Sequence, residues 1–232
     1  MKNIYSDIRK QSDPERTINL QRFFKTKKGE YGEGDVFLGL TVPQCRKVVK
    51  QYKILDLCDV LELLKSKYHE ERLIALLIFV EQFSKGDPKK RKEIYDNYLN
   101  NTKYINNWDL VDLSAHKIVG AYLFDKNRSV LYKLAKSSDL WEKRISIIAT
   151  AWFIKNNDFD DTLNISDILL NDKHDLIHKA VGWMLREIGN NDLLVEEKFL
   201  KSRYKTMPRT MLRYAIEKFE EGKRKKYLKG EI

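Results

Sequence analysis

Cysteine is almost absent from the sequence. Only Cys45 and Cys58 occur among 232 residues, and they do not form a C-x-x-C pair. A disulfide framework needs more cysteines, and a zinc cluster needs several closely spaced ligands. We therefore expect neither a disulfide nor a bound metal, and no cofactor. A reducing, cytoplasmic location fits this composition.

Long apolar segments are also absent. The longest apolar run spans residues 74–80, whereas a membrane-spanning helix needs roughly 20 residues. The N-terminal stretch MKNIYSDIRKQSDPERT has no apolar core of the kind that signal peptides carry. The sequence therefore predicts a soluble protein with no membrane partner. P-loop, GxSxG and HExxH patterns are missing as well, so no nucleotide-binding or nucleophile motif is apparent.

Proline is scarce, and sustained period-2 alternation of the kind that marks β-strands does not occur. The four prolines each open an apolar-periodic run: Pro14, Pro43, Pro88 and Pro208. Proline is tolerated in the first helical turn because the N–H that it lacks would have no partner there. Apolar residues recur at spacings of three and four, which is typical of helices. The predicted fold class is all-α, with roughly a dozen helices joined by short loops.

Positive charge is in excess. Lys and Arg number 44 against 34 acidic residues, which gives a formal charge of +10, and 42% of the residues are hydrophobic. Such a chain can bury a core, and its surplus charge suggests a polyanionic partner.

Five segments of the chain resemble one another: 68–83, 104–119, 140–155, 175–190 and 205–220. Each has a polar lead-in, one marked residue and a long apolar helix. The marked residues are separated by 30 to 36 positions: Arg72, Trp108, Arg144, Lys179 and Arg209. This period predicts a HEAT-like α-α superhelix (an α-solenoid) over residues 1–232, as a single domain in which residues 222–232 form a helix end or a loose basic tail.

In a solenoid the same position of each repeat faces the same surface, so the marked residues predict a concave basic groove interrupted at Trp108. The alternative is that they are scattered surface charges. In the segment 175–190, Lys179, Trp183 and Arg186 fall on one helical face. A tryptophan between two cations suits a nucleic-acid backbone better than a core.

Trp108 and Asp112 are four residues apart and so share one helical face. Asp109 lies in the first turn, where a carboxylate favours the positive end of the helix dipole. Asp112 lies a full turn inside, so capping does not explain it. Asp112 and His116 alone are too few ligands for a metal.

Several segments resemble one known family. NNWDLVD (106–112), WEKR (141–144) and KAVGWMLRE (179–187) look like the AlkD-type DNA alkylation repair glycosylases, and FLGLTVPQCRK (37–47) is similar to that family's N-terminal helix entry. The resemblance spans roughly residues 15 to 220. It departs in the first repeat, where Phe23 or Phe24 replaces the family's tyrosine, and in the longer loop GEYGEGD (29–35).

The resemblance implies that Asp112 is the catalytic carboxylate and that Trp108 and Trp183 are aromatic walls beside the lesion. It also implies a set of DNA-binding residues: Phe23, Arg72, Lys143, Arg144, Lys179, Arg186 and Arg209. Because this family is understood to leave the lesion stacked in the duplex, no deep base pocket is expected.

The sequence thus predicts a monomeric, monofunctional DNA glycosylase that acts on double-stranded DNA carrying N3- or N7-alkylated purines. Two alternatives stay open: a non-catalytic HEAT-like protein that binds unusual or branched DNA, and a HEAT-like scaffold for protein interactions. An aspartate in a phosphate-binding groove weakens DNA affinity, so Asp112 favours the catalytic interpretation.

Overall fold

The computed structural model describes residues 2–232, and helices account for most of them. Seven helices lie in the first half: α1 (Lys2–Arg9), α2 (Pro14–Phe23), α3 (Val42–Tyr52), α4 (Leu57–Leu64), α5 (His69–Lys85), α6 (Pro88–Asn100) and α7 (Trp108–Ala115). A π-helical segment follows at His116–Gly120. The remaining helices are α8 (Ala121–Leu123), α9 (Ser129–Ala135), α10 (Leu140–Ala149), α11 (Ala151–Lys155), α12 (Asp160–Leu169), α13 (Asp175–Asn191), α14 (Leu193–Lys201), α15 (Arg209–Ala215) and α16 (Glu221–Lys229).

No β-strand occurs within residues 2–232, where the only β-type pairing is one isolated bridge between Val36 and Tyr68. The all-α prediction is therefore confirmed, and each of the five similar segments contains a helix. No helix in this range is both long enough and apolar enough to cross a lipid bilayer.

The chain divides into two compact units, Met1–Ser114 and Ala115–Ile232. Within each unit, a helix packs mainly on helices one to three places away in the chain, such as α5 on α3, α4 and α6, or α13 on α10, α12, α14 and α15. This pattern of near-neighbour contacts is typical of helical repeats. The basic concave groove and the single domain stay predictions.

Local sequence signals set the helix starts. Three prolines lie in the first turn of a helix, and the fourth, Pro208, directly precedes α15. Ahead of each of the first three, a side chain accepts a hydrogen bond from a backbone N–H of the first turn: Asp13 for α2, Thr41 for α3 and Asp87 for α6. Such a cap stabilises a helix by about 1 kcal/mol. The prediction that prolines mark helix starts is confirmed.

The C-terminal segment is packed rather than loose. Residues 222–232 lie mostly in α16, and Tyr227 is buried against the rings of Tyr204 and Phe219, with centroids 5.2 and 5.5 Å away. The hydroxyl of Tyr204 donates to the carbonyl oxygen of Ile232 at 2.5 Å. These contacts exclude the free phosphate-binding arm.

Gly182 lets α13 and α15 approach closely. A Cβ placed at this position would lie 2.4 Å from the carbonyl oxygen of Met211 and 2.6 Å from Cβ of Tyr214. Because both atoms belong to the backbone or its first side-chain carbon, neither can move aside cheaply.

We therefore expect Gly182→Ala to lower the free energy of unfolding by about 1–3 kcal/mol, the range for overpacking a core, although alanine is the better helix former. Urea unfolding followed by circular dichroism measures this change. Asn190→Ala, at an exposed position of the same helix, is the control and should leave stability nearly unchanged. Equal stability of Gly182→Ala and the wild type would contradict the close approach.

Candidate functional site

A buried ion cluster ties together the loop before α3, the start of α5 and the start of α7. The imidazole of His69 lies between two carboxylates, with Nδ1 3.1 Å from Oδ2 of Asp35 and Nε2 2.8 Å from Oδ2 of Asp109. Arg72 donates to Oδ1 of Asp35 at 2.6 Å, and Asn107 donates to Oδ2 of Asp35 at 3.0 Å. All five residues are less than 9% exposed. Two cations and two anions therefore neutralise one another inside unit Met1–Ser114.

The cluster keeps His69 protonated at neutral pH. Burial by itself lowers the pKa of this imidazole, but the carboxylates of Asp109 and Asp35 outweigh it and raise the pKa to about 9. For the Asp35 carboxyl, burial acts in the opposite direction and by itself raises the pKa. The hydrogen bond from His69 and the charge of Arg72 outweigh burial and hold that pKa below its ordinary value. The imidazolium can then donate from both of its nitrogens.

Glu70 fixes the loop that approaches α5. Its buried carboxylate accepts hydrogen bonds from the backbone N–H groups of Leu38, Gly39 and Leu40, at 2.9, 2.8 and 3.1 Å. Gly39 has a φ of +88°, and a Cβ there would lie 2.2 Å from the carbonyl oxygen of Asp13. Only glycine suits this position, so the loop, α2 and α5 are locked in one arrangement.

Three aromatic rings form a stack beside the ion cluster, and His69 contacts two of them, Phe37 and, with centroids 5.0 Å apart, Phe24. Phe37 lies on His69 with centroids 4.5 Å apart, and Phe24 lies on Phe37 at 4.9 Å. Trp108 then lies on Phe24 at 5.2 Å with an interplanar angle of 17°. Phe23 meets Trp108 edge to face at 5.9 Å and is 63% exposed. The stack sets the position of the indole, and the ion pair of Asp109 with His69 sets the position of the helix backbone.

A cavity of about 530 Å³ opens beside this stack. It is lined mainly by apolar and aromatic side chains, and Asp112 and Leu113 of α7 form part of its wall. Trp108 and Asp112 therefore face the same cavity, as their spacing of four residues predicted. The resemblance implied no deep pocket at this place, so the cavity is a feature that the sequence did not lead us to expect.

Two other residues of this unit make buried contacts that the sequence did not predict. Asp109 lies in the first turn of α7, as its interpretation as a helix-end charge requires, and in addition it is 8% exposed and paired with His69. Arg72, predicted to bind DNA, is 4% exposed, and its guanidinium is taken up by Asp35 and by the carbonyl oxygen of Ser66. Because Arg72 is buried and its charge is paired with Asp35, a DNA phosphate does not contact it in this arrangement.

In unit Ala115–Ile232, Arg144 is also buried, at 5% exposure, and donates to the carbonyl oxygen of Leu176 at 2.6 Å. The other predicted residues reach solvent to some degree and make local contacts: Lys143 with Asp172, Lys179 with Asp175, Arg186 with Glu217, Arg209 with the carbonyl oxygen of Leu228, and Trp183 through Nε1 with Glu187.

The helix bounds place the marked residues of the similar segments at different positions within their helices. Trp108 and Arg209 are the first residues of α7 and α15, whereas Arg144 and Lys179 are the fifth residues of α10 and α13. The fifth residue of α7 is Asp112, and that of α15 is Arg213, which is exposed. Counted from the helix starts, Asp112 rather than Trp108 occupies the position where α10, α13 and α15 carry a cation, whereas in α5 this position is the buried Leu73, one residue after Arg72.

Sequence reasoning missed His69, Asp35 and Arg213. The first two are separated by 34 residues, and no local pattern links them. Arg213 lay within one of the similar segments, and counting from the helix start would have found it. In the described range, no group of three or more His, Cys, Asp or Glu side chains is arranged to hold a metal ion.

Comparison with known proteins agrees with the fold. A family model described as DNA alkylation repair enzyme matches residues 4–219. A solved structure of a predicted DNA alkylation repair enzyme from Enterococcus faecalis superposes with a TM-score of 0.69 at 14% sequence identity, covering 91% of this chain and 98% of that one. At this identity the likeness shows a shared fold. No curated protein matches the chain.

The His69 cluster makes stability depend on pH. Because its folded-state pKa of about 9 lies above the ordinary value of 6.5, the contribution of His69 is fully present below pH 6.5 and is lost as the pH rises through 9. We expect the free energy of unfolding to fall over this interval in the wild type. In His69→Gln, stability should be lower at neutral pH and this part of the fall should disappear. Urea unfolding at a series of pH values tests this, and parallel profiles for the two proteins would contradict it.

Proposed function

The chain belongs to the family of DNA alkylation repair enzymes, which gives it a role in DNA repair, and from that premise we propose that it is a monofunctional DNA glycosylase. Its substrate is double-stranded DNA with purines alkylated at N3 or N7. The observation that carries the proposal is that Trp108 and Asp112 line one apolar cavity in a chain with a net charge of +10.

The proposed chemistry uses a positive charge that the substrate already carries. When the bond between C1′ and N9 breaks, its electrons pass to the cationic purine, which leaves as a neutral base without a general acid. The deoxyribose is left oxocarbenium-like, and water adds to C1′ with loss of a proton to solvent. Asp112 supplies the carboxylate that stabilises the positive sugar and orients the water, as carboxylates do in glycoside hydrolysis.

Trp108 and Trp183 have an aromatic role in this proposal. An indole face attracts a nearby cation by about 0.5–2 kcal/mol, depending on how far water is excluded. The stack of Phe37, Phe24 and Trp108 gives the first indole a fixed orientation. A rigid wall positions the lesion with little loss of side-chain entropy on binding.

We assign DNA-backbone binding to the basic side chains of the second unit that reach solvent: Lys143, Lys179, Arg186, Arg209 and, by its helical position, Arg213. Arginine and lysine contacts to phosphates supply affinity without sequence preference. Phe23, 63% exposed beside Trp108, is assigned to the DNA surface as well. Arg72 and Arg144 are assigned to the protein interior on account of their burial.

The catalytic assignment predicts that Asp112→Asn lowers the rate of base release about a hundredfold or more, the usual effect of removing one preorganised electrostatic group. Single-turnover release of 7-methylguanine from methylated duplex DNA measures the rate. Asp96→Asn makes the same change of charge at a position of α6 that pairs with Lys92, and it should retain full activity. Release that persists undiminished in Asp112→Asn would contradict the mechanism. Salt-dependent DNA binding by the wild type without any release would indicate a non-catalytic DNA-binding protein.

The DNA-binding assignment predicts that Arg213→Ala weakens binding to unmodified duplex and reduces the slope of log affinity against log salt by about 1, because one phosphate contact is lost. Fluorescence anisotropy with a labelled duplex at several salt concentrations measures both quantities. Lys201 is an exposed cation at the end of α14. Lys201→Ala is the control and should leave both the affinity and the slope nearly unchanged. An unchanged slope in Arg213→Ala would remove this residue from the DNA surface.

A further inference from the structure

The positive charge of the chain is concentrated near its C-terminal end. Residues 193–232 hold 12 Lys and Arg against six Glu, so they carry six of the ten net positive charges. One of these glutamates, Glu196, is 1% exposed, and burial together with the neighbouring Glu197 raises the pKa of its carboxyl to about 8. Glu196 is therefore mostly neutral at pH 7, which leaves this part of the chain still more basic.

Helix α16 presents four cations to solvent, which we call the α16 patch: Arg224, Lys225, Lys226 and Lys229. The helix is anchored by Tyr227, which is buried against two aromatic rings of the same unit. A docked helix holds its side chains in an ordered array, so less conformational entropy is lost when they bind a partner. The patch is therefore a preorganised surface.

The stability of α16 does not account for the patch. A helix dipole favours cations in the last turn and disfavours them in the first, yet Arg224 and Lys225 are the fourth and fifth residues of this nine-residue helix. Lys225 pairs with Glu221 at 2.7 Å, and both side chains are more than 60% exposed. Because such exposed pairs contribute little to stability, these charges can bind an external anion at little cost to the fold.

The α16 patch adjoins the basic side chains of α15. Arg209, the first residue of α15, donates through Nη2 to the carbonyl oxygen of Leu228 at 2.8 Å. That oxygen belongs to the last turn of α16, next to Lys229. Arg213 is exposed and lies one helical turn after Arg209. Arg213, Arg209 and Lys229 therefore form a connected run of positive charge in unit Ala115–Ile232.

The chemistry of α16 suits a phosphate backbone better than a lipid surface. A helix that binds a lipid surface inserts an apolar face beside its cations. The large apolar side chains of α16 are Tyr227, which is buried, and Leu228, which is half-buried, so this helix offers no such face. A phosphate backbone is bound by cations alone, and the role in DNA repair makes duplex DNA the polyanion at hand.

We propose that α16 is a lesion-independent docking helix, which binds the phosphates of duplex DNA and holds the protein on undamaged and alkylated DNA alike. The choice of duplex DNA rests on the proposed function, whereas glycosylase chemistry is not required. Phosphate contacts carry no information about the bases, and α16 lies outside the unit that holds the aromatic cavity. The family model ends at residue 219, so α16 adds a contact that the family match does not cover.

The test compares the binding of one duplex sequence, undamaged and methylated, by fluorescence anisotropy at several salt concentrations. The patch variant combines Lys225→Ala, Lys226→Ala and Lys229→Ala in the full-length protein. We expect the slope of log affinity against log salt to fall by about 2–3, because up to three phosphate contacts are lost. The affinity for the two duplexes should fall by the same factor. Single-turnover base release at saturating protein should keep its rate, because the proposed catalytic residues are unchanged.

Two controls separate a local contact from an effect of net charge. The first combines Lys85→Ala, Lys89→Ala and Lys92→Ala, which removes three charges at exposed positions of α5 and α6. Lys85 lies at the opposite end of α5 from His69, so this variant should keep nearly the wild-type slope. The second control replaces the three lysines of the patch with arginine and should bind DNA as the wild type does. Thermal melting checks that each variant is folded.

An unchanged salt slope in the patch variant would overturn the proposal, and the surface would be a membrane site if that variant lost binding to phosphatidylserine vesicles instead. An equal loss of slope in the two alanine variants would also overturn it, since net charge would then explain the effect. So would a loss of affinity confined to the methylated duplex. Patch-dependent DNA binding by a wild type that releases no base would refute the glycosylase function and support the docking helix.

Discussion

The imidazolium of His69 is the constraint on which the site depends. Buried charges are tolerated only when they are paired, because an uncompensated one costs several kcal/mol. Here one buried ring satisfies carboxylates from two distant segments, Asp35 from the loop before α3 and Asp109 from α7. Neither segment can move independently without exposing or unpairing a charge. The start of α7 is therefore held in place by electrostatics.

The buried His69 determines the position of Asp112, the candidate catalytic residue, through two sets of contacts. Asp109 fixes the backbone of α7, and the rings from His69 to Trp108 fix the indole. Asp112 follows one helical turn later, so the helix geometry sets its direction. The apolar lining of the cavity lowers the local dielectric constant and strengthens the field of a carboxylate there. In the proposed reaction, the ion cluster positions Asp112 although it takes no part in the chemistry.

The sequence predicted what depends on local signals. Prolines with capping side chains mark helix starts, and a spacing of four puts Trp108 and Asp112 on one face. It did not predict the cluster, because His69 pairs with residues 34 and 40 positions away, and such pairings depend on how the helices pack. The alignment of the five similar segments stays a prediction: by residue type it matches Trp108 with Arg144, whereas counting from the helix starts matches Asp112 with Arg144.

In the proposed reaction, one carboxylate has to serve both substrate binding and catalysis. A charge that attracts the cationic purine as strongly before bond cleavage as during it improves binding but does not accelerate the reaction. Acceleration requires a stronger attraction when positive charge moves from the base to C1′. In the proposed reaction Asp112 must therefore lie nearer the sugar than the base, and small displacements would remove the advantage. The ion pair of Asp109 and the ring stack against Trp108 provide the rigidity that such a placement requires.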